Sequence, residues 1–154
     1  MYGEQKDGYE AAFKKLKKNN TTIKNLCSIP GIAEINAAKI YSRVIEAKRF
    51  ENKYKYWSYC GLAEHEKESG GKKYGKKRPR FSRILKGVYK IAATTSISGK
   101  NDVREYYEYL IKEKLLSGKE AKNQIARYIA KASYAVMKNN QRYKPYSWRK
   151  PTQS

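Results

Sequence analysis

The chain has 154 residues, 35 of them Lys or Arg against 14 Asp or Glu, for a formal net charge of +21. That length suits one domain with a modest core, and that charge points to an anionic partner and away from a metal site built of acidic side chains. No apolar run approaches the ~20 residues that span a bilayer, and the opening Met1–Lys6 is polar, so neither a membrane segment nor a signal peptide is expected.

In chain order the periodicity is helical. Tyr9 to Lys18 predicts a short amphipathic helix, and Thr21 or Thr22 can cap a second that runs to Leu26 and stops before Pro30-Gly31. Glu34 to Lys48 predicts a helix with Ala37, Ile40, Tyr41, Val44 and Ile45 on its apolar face. Asn52 to Cys60 predicts another, ended by Gly61. From Glu66 to Arg80 three glycines and Pro79 argue against regular structure. Ser82 to Ser96 resumes as a helix with Ile84, Leu85, Val88, Ile91, Ala92 and Thr95 facing inward.

Asp102 with Glu105 reads as a capping arrangement, followed by Val103, Tyr106, Tyr107, Leu110 and Ile111 at helical spacing. Ser117-Gly118-Lys119-Glu120 is a capping box opening a long helix, whose stripe is Ala121, Ile125, Tyr128, Ile129, Ala132 and Val136. No alternating strand pattern occurs. The expected fold class is all-α, with a linker helix over 1–25, a helical domain over 26–138 and a flexible polar tail over 139–154.

The 15 Tyr, 2 Trp and 3 Phe are unusual in kind, and most of the tyrosines are expected half-buried on helices. Cys27 and Cys60 read as reduced core residues, since no second ligand pair is present to build a zinc site. His65 lies among Glu64, Glu66 and Glu68 and reads as a solvated surface residue. No metal or other cofactor is expected.

The densest chemical signal is the segment 69–100, which holds ten Lys or Arg and no acid. Such a block repels itself unless a polyanion neutralises it, and nucleic acid is the commonest polyanion. Lys72, Lys73, Lys76, Lys77, Arg78 and Arg80 precede a helix on which Arg83, Lys86 and Lys90 fall at i, i+3 and i+7, so the set can track a duplex backbone. Ile29-Pro30-Gly31-Ile32-Ala33-Glu34 has the form of a helix-hairpin-helix turn, in which Gly31, Ile32 and Ala33 would present backbone N–H groups to a phosphate. Ala33 stands where the usual hairpin has a second glycine, and Glu34 places an acid at the helix start; a plain core turn is the equal alternative. Ser69-Gly70-Gly71 offers an exposed hydroxyl beside a close-approach backbone, without a His or Asp partner for a hydrolase triad.

Taken together, Ile29-Pro30-Gly31-Ile32, Arg49-Phe50, Tyr59-Cys60-Gly61-Leu62-Ala63, Ser69-Gly70-Gly71-Lys72 and the basic run into Ile84-Leu85-Lys86 have a specific order and spacing. In this the stretch from Leu26 to Ala92 resembles the C-terminal domain of insertion-sequence transposases of the one-ten, one-sixteen, nine-oh-two type. The resemblance implies a DNA-binding module that donates a serine nucleophile, here Ser69, to a phosphodiester and is guided by a structured RNA. The family's other half, a ribonuclease-H-like domain with four acidic metal ligands, has no counterpart in this chain, and Pro79-Arg80-Phe81-Ser82 replaces a common Gly-Arg-Ile pattern.

The expectation is therefore a protein that binds duplex DNA backbone and is not a complete recombinase alone. Two alternatives stand beside it: a nucleoprotein that coats or condenses a genome, and a serine recombinase half acting in trans with a metal-binding domain. DNA is the expected partner, with structured RNA and a second copy of the chain as alternatives. The expected location is cytoplasmic at the nucleoid, or a virion, and the Lys- and Tyr-rich composition is compatible with a thermophilic source.

Overall fold

A computed structural model describes residues 20–63 and 81–149. Among these are six α-helices and one 3-10 turn, with no strand: α1 (Thr21–Cys27), α2 (Glu34–Val44), a 3-10 turn (Ala47–Arg49), α3 (Lys53–Tyr59), α4 (Arg83–Ile97), α5 (Asp102–Lys112) and α6 (Gly118–Asn139). The all-α expectation holds. The helix expected at 9–18, the glycine-rich stretch 66–80 and His65 lie outside the described residues.

The hub is α6, which packs against α1, α3, α4, α5 and the 3-10 turn. Its expected stripe is buried throughout, and Ala126, Ala130, Ser133 and Tyr134 are buried as well, because neighbours approach on more than one side. The Ser117/Glu120 capping box is present in both directions, at 3.1 Å each. Elsewhere asparagines one residue upstream replace the expected caps. Asn20 caps α1 and Asn101 caps α5, because each side-chain oxygen accepts an N–H of the following turn. Asn52 caps α3.

Helix α4 is rotated from expectation. Leu85, Val88, Tyr89, Ala92, Ala93 and Ser96 face inward, while Ile84, Ile91 and Thr95 are exposed. Tyr89 sets that rotation. Its hydroxyl meets that of Tyr56 at 2.6 Å in the core and interacts with Ser133 of α6, so an aromatic with a satisfied polar tip displaces isoleucines from the interior. Ile45, expected on the α2 face, is exposed at a positive φ of 60° where the helix ends.

Cys60 is buried and Cys27 half-buried, and both are thiols. Cys60 lies against Tyr56, and burial pushes its thiol up to about 12 against a smaller downward pull from that hydrogen bond. Burial likewise raises the Tyr56 and Tyr89 hydroxyls.

The stretch 141–149 differs most from expectation. Rather than a loose tail, it lies against the domain, and one oxygen of the buried Asp102 gathers it. That oxygen accepts from Tyr143 Oη at 2.6 Å, the Tyr146 amide at 2.8 Å and Trp148 Nε1 at 3.2 Å. Tyr143 Oη also meets Tyr128 Oη at 2.8 Å, and the Tyr143 amide donates to Ser28 at the end of α1. Helix α1, with Ile23 and Leu26 buried, likewise runs across the expected 25/26 boundary.

Two outcomes are expected. Asp102→Ala strands three donors and should cost about 3 kcal/mol in urea unfolding, with a matching rise in hydrogen exchange over 141–149. Cys60 keeps its proton more tightly folded than unfolded, so its contribution is fully present below the ordinary value of 9.0 and is lost as pH rises toward about 12, with the two buried tyrosines acting in the same direction. Alkaline titration of the unfolding midpoint should therefore show a decline beginning near pH 9, and at pH 8 a thiol reagent should label Cys60 only in denaturant.

Candidate nucleic-acid interface

Three surfaces carry the residues singled out from sequence. The first is the hairpin between α1 and α2. Gly31 has φ +94°, and a Cβ there would lie 2.4 Å from the Ala92 carbonyl oxygen and 3.1 Å from Ser96 Cβ. The turn is thus pressed onto α4, with Ile29 and Ile32 buried beneath it. Ala33, Glu34 and Ile35 are exposed, and no side chain caps α2, so the first-turn N–H groups have no intrahelical partner.

The second surface is the outer side of α4. Arg83 and Lys90 are exposed opposite the buried stripe, and Lys86 is half-buried with Nζ 5.2 Å from the centre of the Phe81 ring. Two residues along a helix turn it by about 200°, so Lys90 projects away from the side where Gly31 meets Ala92. The structure therefore does not bring the hairpin and the α4 cations onto one face of that helix.

The third surface is formed by the residues that flank the segment 64–80 in sequence. Gly61 has φ +71°, and a Cβ there would fall 2.5 Å from Phe81, so these two flanking residues are in contact. The Ser82 amide donates to the Tyr59 carbonyl at 2.7 Å, and the Ser82 hydroxyl caps α4. Around this junction the Arg49 guanidinium lies 4.6 Å from the Phe50 ring centre and 5.0 Å from that of Tyr59. Arg49 also donates to the Val44 and Arg43 carbonyls, closing the C-terminal end of α2. A shallow groove of about 390 Å³ beside it is lined by Arg49, Lys55, Ser58 and Tyr59, with Glu51 as its acid.

Ser69, Lys72, Lys73, Lys76, Lys77, Arg78 and Arg80 lie outside the described residues. Of the nucleic-acid set, then, Arg83 and Lys86 stand at the junction that segment enters, Lys90 stands one to two turns along α4, and Gly31, Ile32 and Ala33 form a separate turn on the far side of α4. Arg49 and Lys55 were not among the residues singled out for binding. The adjacency Arg49-Phe50 was the only local hint, because the rings that hold the guanidinium come from two elements.

Gly31→Ala should lower stability by about 2–4 kcal/mol, from the left-handed backbone and the collision with Ala92 together. An unchanged urea midpoint would show that the turn is not pressed onto α4.

The arrangement of hairpin, junction and cationic helix falls almost wholly within one stretch of known relationship. The model of the Transposase IS116/IS110/IS902 family matches residues 23–108, from the first buried residue of α1 into α5. No curated protein and no solved structure matches the chain. With more than half of its length covered, this chain belongs to the IS116/IS110/IS902 transposase family.

Proposed function

We propose that the protein binds the backbone of duplex DNA through the acid-free segment 69–100 and the junction at its base. The observation that carries this is the contact of Gly61 with Phe81, which flank the segment 64–80, beside Arg49, Arg83 and Lys86. Six of the ten cations of 69–100 precede this junction in sequence, and Arg83, Lys86 and Lys90 follow it on α4. Membership of a transposase family supports DNA as the polyanion. Phosphate contacts of this kind position a protein on DNA without reading its sequence. The uncapped start of α2 is a separate, weaker contact, on the other side of α4 and carrying Glu34 in its first turn.

A second reading rests on Ser69, eight residues beyond Gly61 in the Ser-Gly-Gly-Lys segment that resembles the family's nucleophile. There its hydroxyl oxygen would attack a phosphodiester phosphorus, displacing a deoxyribose oxygen and leaving a phosphoserine link, in trans with a separate metal-binding domain. A covalent adduct on labelled duplex that disappears in Ser69→Ala would establish it; no adduct with such a partner present would remove it.

For the binding itself, the double variant Arg83→Glu/Lys90→Glu is expected to weaken duplex affinity by tenfold or more at low salt and to reduce the salt slope by about two. Both side chains are exposed, so the unfolding midpoint should stay within ~0.5 kcal/mol of the parent. Equal affinity of variant and parent would contradict the proposed face.

A further inference from the structure

Helix α5 and the docked stretch 146–149 build an aromatic groove that the duplex-binding reading leaves unused. The Tyr106 and Trp148 rings stack at 5.0 Å with 18° between planes. Tyr109 stands 5.8 Å from Trp148 and 6.5 Å from Tyr106. These rings line an open groove of about 670 Å³ with Leu116, Lys114 and Arg149, a size in the ~300–1,000 Å³ range of ligand sites. Tyr109 remains 37% exposed, so part of its ring is open to a ligand. Cations flank the groove. Lys114 Nζ lies 6.0 Å from the Tyr109 ring centre, and the Arg149 guanidinium lies 5.3 Å from that of Trp148. Glu105 faces the same rim, 3.7 Å from Arg149 and accepting from Tyr146 Oη at 2.7 Å, so part of Arg149's charge is already balanced. The platform is preset, because Trp148 Nε1 is held by Asp102 and the Tyr106 hydroxyl accepts from Gln124.

We infer that this groove holds an unpaired nucleobase of a single-stranded nucleic acid, stacked on Tyr109 and Trp148, with Lys114 and Arg149 beside the flanking phosphates. Aromatic rings next to cations are the chemistry by which single strands are held without sequence preference, every base having a π-face. A duplex keeps its bases within its own stack and cannot offer one. The inference deepens the nucleic-acid reading and rests on it for the class of partner, but uses none of the junction or α4 residues.

The test uses the full chain carrying Trp57→Phe, which leaves Trp148 as the only indole. Trp57 Nε1 is buried without a partner, so its removal should cost little. Short oligothymidine and oligouridine are compared with an abasic oligonucleotide of equal charge and with a duplex, following Trp148 fluorescence and affinity. The base-bearing strands are expected to quench Trp148 and to bind about tenfold or more tightly than the abasic strand. Tyr109→Ala should remove that advantage, whereas Tyr109→Phe keeps the ring and the advantage, and duplex affinity should change less than twofold in either. A preference for oligouridine over oligothymidine would identify RNA as the source of the base, and the reverse DNA. Abasic and base-bearing strands binding equally would overturn the inference while leaving duplex binding intact. Loss of single-strand and duplex binding alike would overturn both. A Tyr109→Ala variant that keeps the base advantage would also overturn it, as would one in which Tyr109→Phe loses the advantage equally.

Discussion

The organisation of the molecule follows from the burial of α6. Its small residues Ala121, Ala126, Ala130 and Ser133 let neighbouring backbones approach closely, while Ile125, Ile129 and Val136 fill the spaces between them. Each of those buried branched side chains contributes on the order of 1.5–3 kcal/mol. With α4 drawn in through Tyr89 toward Ser133, the other side of α4 is left to solvent, and Arg83 and Lys90 stand there. With α5 drawn in beside Tyr128, the ring of Tyr106 is turned to meet Tyr128 on one side and Trp148 on another. Both candidate surfaces are thus consequences of how one helix is enclosed. That helix lies beyond the family match, which ends at residue 108 inside α5.

A chain with so few acids places one of them inside. Asp102 is buried at the start of α5, where an anion also suits the helix dipole, and its oxygen receives donors from three residues of 143–148. Charge-assisted bonds of this kind are among the stronger polar contacts. They fix Trp148, and through it the aromatic groove. The Tyr143 hydroxyl, raised above its ordinary value chiefly by burial and then by its bond to Asp102, remains a donor over the physiological range. The surface stays cationic partly because this carboxylate faces inward.

Legibility from sequence tracked locality. The Ser117/Glu120 box and the α6 stripe were readable because capping and 3.6-residue periodicity are properties of adjacent turns. The Asn20 and Asn101 caps sat one residue from the predicted ones, a choice made by backbone angles that composition leaves open. On α4 the pattern counted Ile84 and Ile91 as core and passed over Tyr89. The partner hydroxyls of Tyr56, 33 residues away, and of Ser133 on α6 make a buried tyrosine favourable there. The docked stretch 141–149 was unreadable for the same reason, since its acceptor Asp102 is about 40 residues distant and looked like an ordinary cap. Of the candidate interface, the α4 cations could be placed from periodicity. The contact of Gly61 with Phe81 could not, because it joins segments separated by the basic run, nor could the rings beneath Arg49, because they come from two elements.

The central claim is that a surface anchored at the Gly61–Phe81 junction neutralises DNA phosphates. Its most direct measurement is the dependence of duplex affinity on salt concentration for the full chain, on unrelated sequences of equal length. The account predicts a steep linear fall of log affinity with log salt, with a slope near −0.9 for each phosphate neutralised and several phosphates engaged. The slope should be the same for every sequence. Affinity that stays flat between low and moderate salt, or that follows sequence rather than salt, would contradict it.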